Sequence, residues 1–171
     1  MKIMKVLSHF LREEDNNYIE NKLVSDEFPW FFTHKTTENP KKSFFATDIS
    51  LFQHTFYHEG ELNSTHRDII DIFRTSFIKN DIDFDRYIKR MLANLVLPKL
   101  EIRHTPFHTD QKVDHMVAIY YVNAVGGKTV FKEGHKVVPQ RNKCIVFDGS
   151  REHCHHLPLY KSRLVFNFNF Y

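Results

Sequence analysis

Cysteine is nearly absent from this chain. Cys144 and Cys154 are the only two in 171 residues, and neither stands in a C-x-x-C pair. That density argues against a disulfide framework and for a reducing, cytoplasmic compartment. Long apolar runs are missing as well. None approaches the ~18 residues of a membrane span, so no membrane association is expected. The opening "MKIMKVLSHFLREEDNN" meets charge within ten residues, which is not the apolar core of a signal peptide. Neither charge sign dominates: 24 Lys and Arg face 21 Asp and Glu, for a formal net charge of +3. Without a polybasic tail, nucleic acid is not the expected partner. Internal repeats and low-complexity linkers are lacking too.

What is present is aromatic and apolar. Phenylalanine alone occurs 17 times, and hydrophobic residues make up 42%. A chain of this length supports one domain with a real core, over residues 1–171. "MKIMKVLSHF" reads as a strand. "LREEDNNYIENKLV" reads as a helix with acidic residues in its first turn. "SFFATDISLFQHTFYHEG" suggests one or two strands. "STHRDIIDIFRTSFI" is an amphipathic helix with Ile69, Ile70, Phe73 and Phe77 on one face and Ser64 or Thr65 as its cap. From Asp85 onward the texture changes. "DRYIKRMLANLVL", "HMVAIYYVN", "KTVFKEG", "HKVVP", "KCIVFDG" and "SRLVFNFNFY" are short strands separated by turn signals, the pattern of a sandwich or barrel. The expected class is α+β: N-terminal helices and strands as support over residues 1–84 and a β-sandwich of seven or eight strands over 85–171.

One short stretch carries chemistry. "TPFHTDQ" holds His108 and Asp110, which point to the same side if the segment is extended. An H-x-[DE] match is weak alone. With 12 histidines and 21 acids in 171 residues, one or two arise by chance, and two occur. The other, His66 and Asp68, opens the amphipathic helix, where an acid in the first turn explains it. A third ligand would complete a two-histidine, one-carboxylate face, which leaves positions open on one side of a ferrous ion. "FDGSREHCHHLPLYKSRLVFNFNFY" offers His153, His155 and His156, and Arg163 opens its final strand. By strand period, Arg163 points inward with Val165, Asn167 and Asn169, while Leu164, Phe166, Phe168 and Phe170 face the other way. A guanidinium there suits a carboxylate. His34, His54 and His58 read as structural. His104 and His115 flank the candidate site, within reach of a substrate. Cys154 reads as an exposed, oxidisable thiol and Cys144 as a buried strand residue.

H-x-D, then His about forty residues on, then Arg ten residues later: this order resembles the Fe(II)- and 2-oxoglutarate-dependent oxygenases, in particular their compact prolyl-hydroxylase-like members. "IYYVNAVGGKTVF" is similar to the strand-turn-strand that follows the first two ligands in that superfamily, and "CIVFDGSREH" to the strand that leads to the distal histidine. The likeness covers roughly 85–171. It implies a double-stranded β-helix, a jelly-roll or cupin-like sandwich. It implies Fe(II) on His108, Asp110 and His153, with His155 the alternative third ligand. It implies 2-oxoglutarate held at its far carboxylate by Arg163 and Tyr121, with Asn94 and, more weakly, Thr129 in the same pocket. The co-substrates would be 2-oxoglutarate and O₂, with ascorbate a stimulant and succinate and CO₂ the by-products of hydroxylation. Asp110 argues against a halogenase. The second arginine of the DNA and RNA demethylases, six positions after the first, is here Asn169. A peptidyl proline, another protein side chain or a small molecule remain as substrates. The rival functions are a non-redox cupin-like metal protein and a non-catalytic binding module.

Overall fold

The computed structural model describes residues 4–34, 49–100 and 104–171. The early part of "SFFATDISLFQHTFYHEG", up to Asp48, lies outside the described residues. β1 (Met4–Ser8) leads into α1 (Glu13–Leu23), whose first turn carries Glu13, Glu14 and Asp15, where unpaired backbone N–H groups favour negative charge. β2 (Phe31–Thr33), β3 (Leu51–His58) and β4 (Glu61–Leu62) precede α2 (Arg67–Lys79). Ile69, Ile70, Phe73 and Phe77 are buried along one stripe of α2, as its 3.6-residue period requires. Its cap differs from expectation. His66 is the N-cap and makes no side-chain cap bond. Ser64 Oγ instead accepts the His66 N–H at 3.1 Å and bonds the His54 ring at 2.8 Å.

The strand expected from "DRYIKRMLANLVL" begins later than the sequence suggested. Asp83 Oδ1 accepts the Arg86 N–H at 3.2 Å and caps a single helical turn, α3 (Phe84–Tyr87). β5 (Ile88–Val96) follows. Then come β6 (Met116–Tyr121), β7 (Lys128–Phe131), β8 (Lys136–Val137), β9 (Lys143–Asp148), β10 (His153–His156) and β11 (Arg163–Phe170). A large antiparallel sheet runs β1-β9-β6-β11-β5-β3-β2, with β4 on β3, and a small one runs β10-β7-β8. The N-terminal strands therefore belong to the large sheet itself. β1 pairs along β9 and β3 along β5, so they cover backbone edges that would otherwise be left unpaired.

β11 lies between β6 and β5, and its two faces differ. Leu164, Phe166, Phe168 and Phe170 join the core beneath the helices, with α2's Phe73 ring 4.6 Å from Phe166 and 5.0 Å from Phe168. On the opposite face Val165 packs with Ile119 and Phe147 and with Phe131 and Val137 of the small sheet. The candidate site lies on that second face. Phe73→Ala, which empties a fully buried ring position, should cost about 3–5 kcal/mol of stability in urea denaturation.

Candidate metal centre

His108 and His153 are neighbours across two antiparallel segments. The His108 N–H donates to the His153 carbonyl at 3.0 Å, and the His153 N–H donates back at 2.9 Å. This isolated bridge, with another between His104 and His156, is the regular pairing seen around "TPFHTDQ"; the extended strand expected there is reduced to these contacts. The paired residues bring the two imidazoles to a centroid distance of 4.8 Å, as side chains opposite each other on a ladder require. His108 Nδ1 lies 3.0 Å from the Pro106 carbonyl and His153 Nδ1 3.2 Å from the Arg151 carbonyl. In the neutral rings these nitrogens carry the proton, which leaves each Nε2 lone pair free.

Asp110 completes the convergence. Its Oδ1 lies 3.7 Å from His108 Nε2 and 3.6 Å from His153 Nε2. Neither is a hydrogen bond. Two ligands at right angles on an ion with ~2.1 Å bonds stand ~3 Å apart, so a small closure would bring all three onto one metal. The carboxylate's other oxygen, Oδ2, accepts the Asn167 and Asn169 side-chain amides at 3.0 and 2.9 Å and lies 3.3 Å from Arg90 Nη2. Burial opposes the charged form of Asp110, yet His153, Arg90, His108 and Asn169 together hold it well below the usual carboxylate range. Burial pushes His153 down to about 4, with Asp110 opposing.

His153 Nε2 provides a test of whether a metal fits. The atom is fully buried and has no hydrogen-bond partner. A buried imidazole nitrogen without a partner is costly unless something else uses its lone pair. A divalent cation coordinated with Asp110 Oδ1 and His108 would do so. His155 also belongs to the cluster: His108, His153 and His155 each present a ligand atom, all within 4.8 Å of one another. The segment is a strand, so His155 shares His153's side, and it lines the cavity in front of the cluster. Burial, followed by Arg163 and the neighbouring histidines, drives its basicity well down. His156 turns the other way and stacks on His104.

The cavity has a volume of about 180 Å³ and reaches from His108 and Asp110 past His155 and Asn94 to Arg163. Arg163 is 1% exposed. Its Nη1 donates to the His156 carbonyl at 3.1 Å and its Nε has no partner. Among the described residues no carboxylate lies within ion-pair distance of it. Burial lowers this guanidinium to about 10, and Tyr121 partly restores it. The Tyr121 hydroxyl lies 2.7 Å from Thr129 Oγ1, and burial raises it to about 12. Tyr120 points to the opposite face and bonds Asn142 Oδ1 at 3.1 Å. Asn94 Oδ1 accepts the Gln53 amide at 2.8 Å.

Gly127 makes the Arg163 seat possible. Its φ is +73°, and an added Cβ would sit 2.3 Å from the His156 carbonyl oxygen and 2.7 Å from Arg163 Nη1. Gly127→Ala should lower stability by about 1 kcal/mol or more, as urea denaturation would measure.

Some expectations need correction. Cys154 is buried, at 1% exposure, and burial raises its thiol to about 11; it is no exposed, oxidisable group. His115 is buried too, with Nδ1 2.7 Å from the Val113 carbonyl. His66 stacks on Phe28, and Asp68 pairs with Lys22 and Tyr18, which leaves that pair structural. Sequence reasoning missed Arg90. It stands apart from every motif, and only its strand pairing opposite Asn169 brings it to Asp110.

No family model matches the sequence, and no curated protein matches it. Solved structures do. An oxidoreductase of the 2OG-Fe(II) oxygenase family from Burkholderia pseudomallei aligns over 99% of this chain and 84% of its own, with a TM-score of 0.70 and 14% identity. A prolyl hydroxylase from Trichoplax adhaerens, in complex with a hypoxia inducible factor oxygen degradation domain peptide fragment, aligns over 98% and 83%, with a TM-score of 0.71 and 10% identity. The viral collagen prolyl hydroxylase of Paramecium Bursaria Chlorella virus-1, in a 2OG complex, aligns over 98% and 94%, with a TM-score of 0.65 and 13% identity. The fold of this chain is the fold of these 2-oxoglutarate–Fe(II) oxygenases.

Proposed function

We propose that this protein is an Fe(II)- and 2-oxoglutarate-dependent dioxygenase that hydroxylates a peptidyl or small-molecule substrate. The observation that carries the reading is Arg163: a buried guanidinium without an acidic partner among the described residues, at the far end of a cavity that begins at His108 and Asp110. A buried charge needs a counter-charge. A dicarboxylate that reaches from the metal position to Arg163 supplies one.

In this reading residues 1–171 form one unit, with 1–84 supporting a double-stranded β-helix over 85–171. The two-sheet arrangement supports it, since the His104–His108 segment lies beside β10 and extends the small sheet opposite the large one. His108, Asp110 and His153 would hold the iron. His153 is preferred to His155 because its Nε2 is the buried, unpartnered atom close to Asp110 Oδ1. His155 then lines the co-substrate cavity. When bound, iron would supply the O₂ activation that 2-oxoglutarate oxidation and substrate hydroxylation require. The chain's own part is placement. Arg163 binds the far carboxylate, and Tyr121, held by Thr129, offers its hydroxyl beside it. Asn94 and the apolar Val165 and Leu92 line the wall between. Ascorbate would be a stimulant. Among the described residues no helix is long and apolar enough to cross a membrane, and the modest net charge favours a peptide or metabolite over nucleic acid.

Incubation with Fe(II), 2-oxoglutarate and O₂ tests this. Slow succinate release without substrate, faster release with the right peptide or metabolite, and a product heavier by one oxygen atom are expected. Absence of both 2-oxoglutarate binding and succinate would refute the reading.

A further inference from the structure

Asp110 is held unevenly. Oδ2 takes two amide hydrogen bonds, from Asn167 and Asn169, and the ion pair with Arg90 Nη2 at 3.3 Å. Oδ1 has only the two Nε2 atoms before it, at 3.7 and 3.6 Å. A free carboxylate can bind a metal through one oxygen or through both. Here one oxygen is occupied by donors from the large sheet and the other is presented to the imidazoles. The arrangement leaves further polar atoms unpaired: Asn167 Oδ1, Asn169 Oδ1 and Arg90 Nε are buried without partners. Three unpaired atoms around one carboxylate are hard to explain as stabilisation, because each carries a desolvation cost. They are explained if all three side chains are fixed by what they donate to Asp110.

We propose that Arg90, together with Asn167 and Asn169, is a positioning residue that fixes Asp110 as a one-oxygen metal ligand. This rests on the proposed iron site. The register places Arg90 directly opposite Asn169 on paired strands, so both reach the same oxygen. With Oδ2 withdrawn, Asp110 takes one coordination position, and the others stay open for the two contacts of a chelating co-substrate and for O₂.

Charge and position predict opposite outcomes for Arg90. A guanidinium this close repels a cation, so if it acted by charge alone, its removal would tighten metal binding. Positioning predicts the reverse, a 10–100-fold weaker site, as for other groups that orient a ligand. The experiment is Co(II) titration of the full chain without co-substrate, read by affinity and by the visible d–d spectrum, with apo-protein melting temperature alongside. Arg90→Gln and the charge-neutral Asn169→Ala should both weaken Co(II) and alter its spectrum; Arg90→Lys should recover part of the affinity. Equal or tighter Co(II) binding in Arg90→Gln, with an unchanged spectrum, would overturn the inference. If Arg90→Gln does not fold, Arg90→Lys decides: wild-type affinity with the wild-type spectrum would overturn it. Failure of the wild-type protein to bind Co(II) would remove the proposed function itself, which is a separate outcome.

Discussion

Asp110→Asn should abolish turnover of 2-oxoglutarate while leaving the protein folded. The substitution keeps the side chain's shape and removes its charge. An amide still accepts from Asn167 and Asn169 through its carbonyl, so the wall of the cavity survives. What it presents to His108 and His153 is then an N–H₂ group, which cannot bind a metal. Groups that merely orient a ligand are worth 10–100-fold in metal affinity, so loss of the ligand itself should exceed about 100-fold. Arg90 loses its counter-charge at the same time. That partial burial of an unpaired cation should lower the melting temperature, by less than a large core deletion would. Succinate release and Co(II) titration measure the two halves. Turnover within tenfold of wild type would remove Asp110 from the metal set.

Arg163→Met should have opposite effects on stability and on function. In the protein without co-substrate, Arg163 is a buried cation with no carboxylate near it among the described residues. Replacement of such a charge by an apolar side chain of similar length is neutral or stabilising. The melting temperature should therefore hold or rise. Truncation of one partner of a buried charge pair costs about 2–5 kcal/mol, or about 30-fold to several thousand-fold in 2-oxoglutarate affinity. Co(II) binding should be unchanged, because Arg163 lies at the opposite end of the cavity. Arg163→Lys should fall between, since an ammonium keeps the charge but not the two-pronged geometry. A Met variant that binds 2-oxoglutarate normally would leave the buried guanidinium without a role.

Much of this arrangement was legible in the sequence because it follows from strand period. The alternation in "RLVFNFNF" separates Arg163, Val165, Asn167 and Asn169 from the phenylalanines, and the sheet keeps that separation. His153 and His155 share a side for the same reason. The convergence of His108 and Asp110 also appears, though through one bridge and a bend where a strand was expected. What stayed hidden depends on pairing between distant segments. Arg90 is twenty residues from Asp110 and belongs to no spacing pattern. Asn169 was read as the place where an arginine is missing, whereas the fold brings one from the strand beside it. The N-terminal strands were hidden as partners of the sandwich, because a sequence shows that a strand forms and not which edge it covers. Cys154 was misjudged because its neighbours in sequence are polar while its neighbours in space, across β7, are not.

The three candidate ligands do not come from one sheet. His108 and His153 sit on the small side, joined to each other by two backbone hydrogen bonds. Asp110 is tied by Asn167, Asn169 and Arg90 to the large one. An ion bound by all three would therefore act as a rivet through the sandwich. The β11 backbone, bonded on both sides, belongs to the slowest-exchanging class of amides, while the small sheet has three strands and ends on the two-residue β8. Metal loading would then be read first as slowed hydrogen exchange in the small sheet, far more than in the strand that carries Arg163.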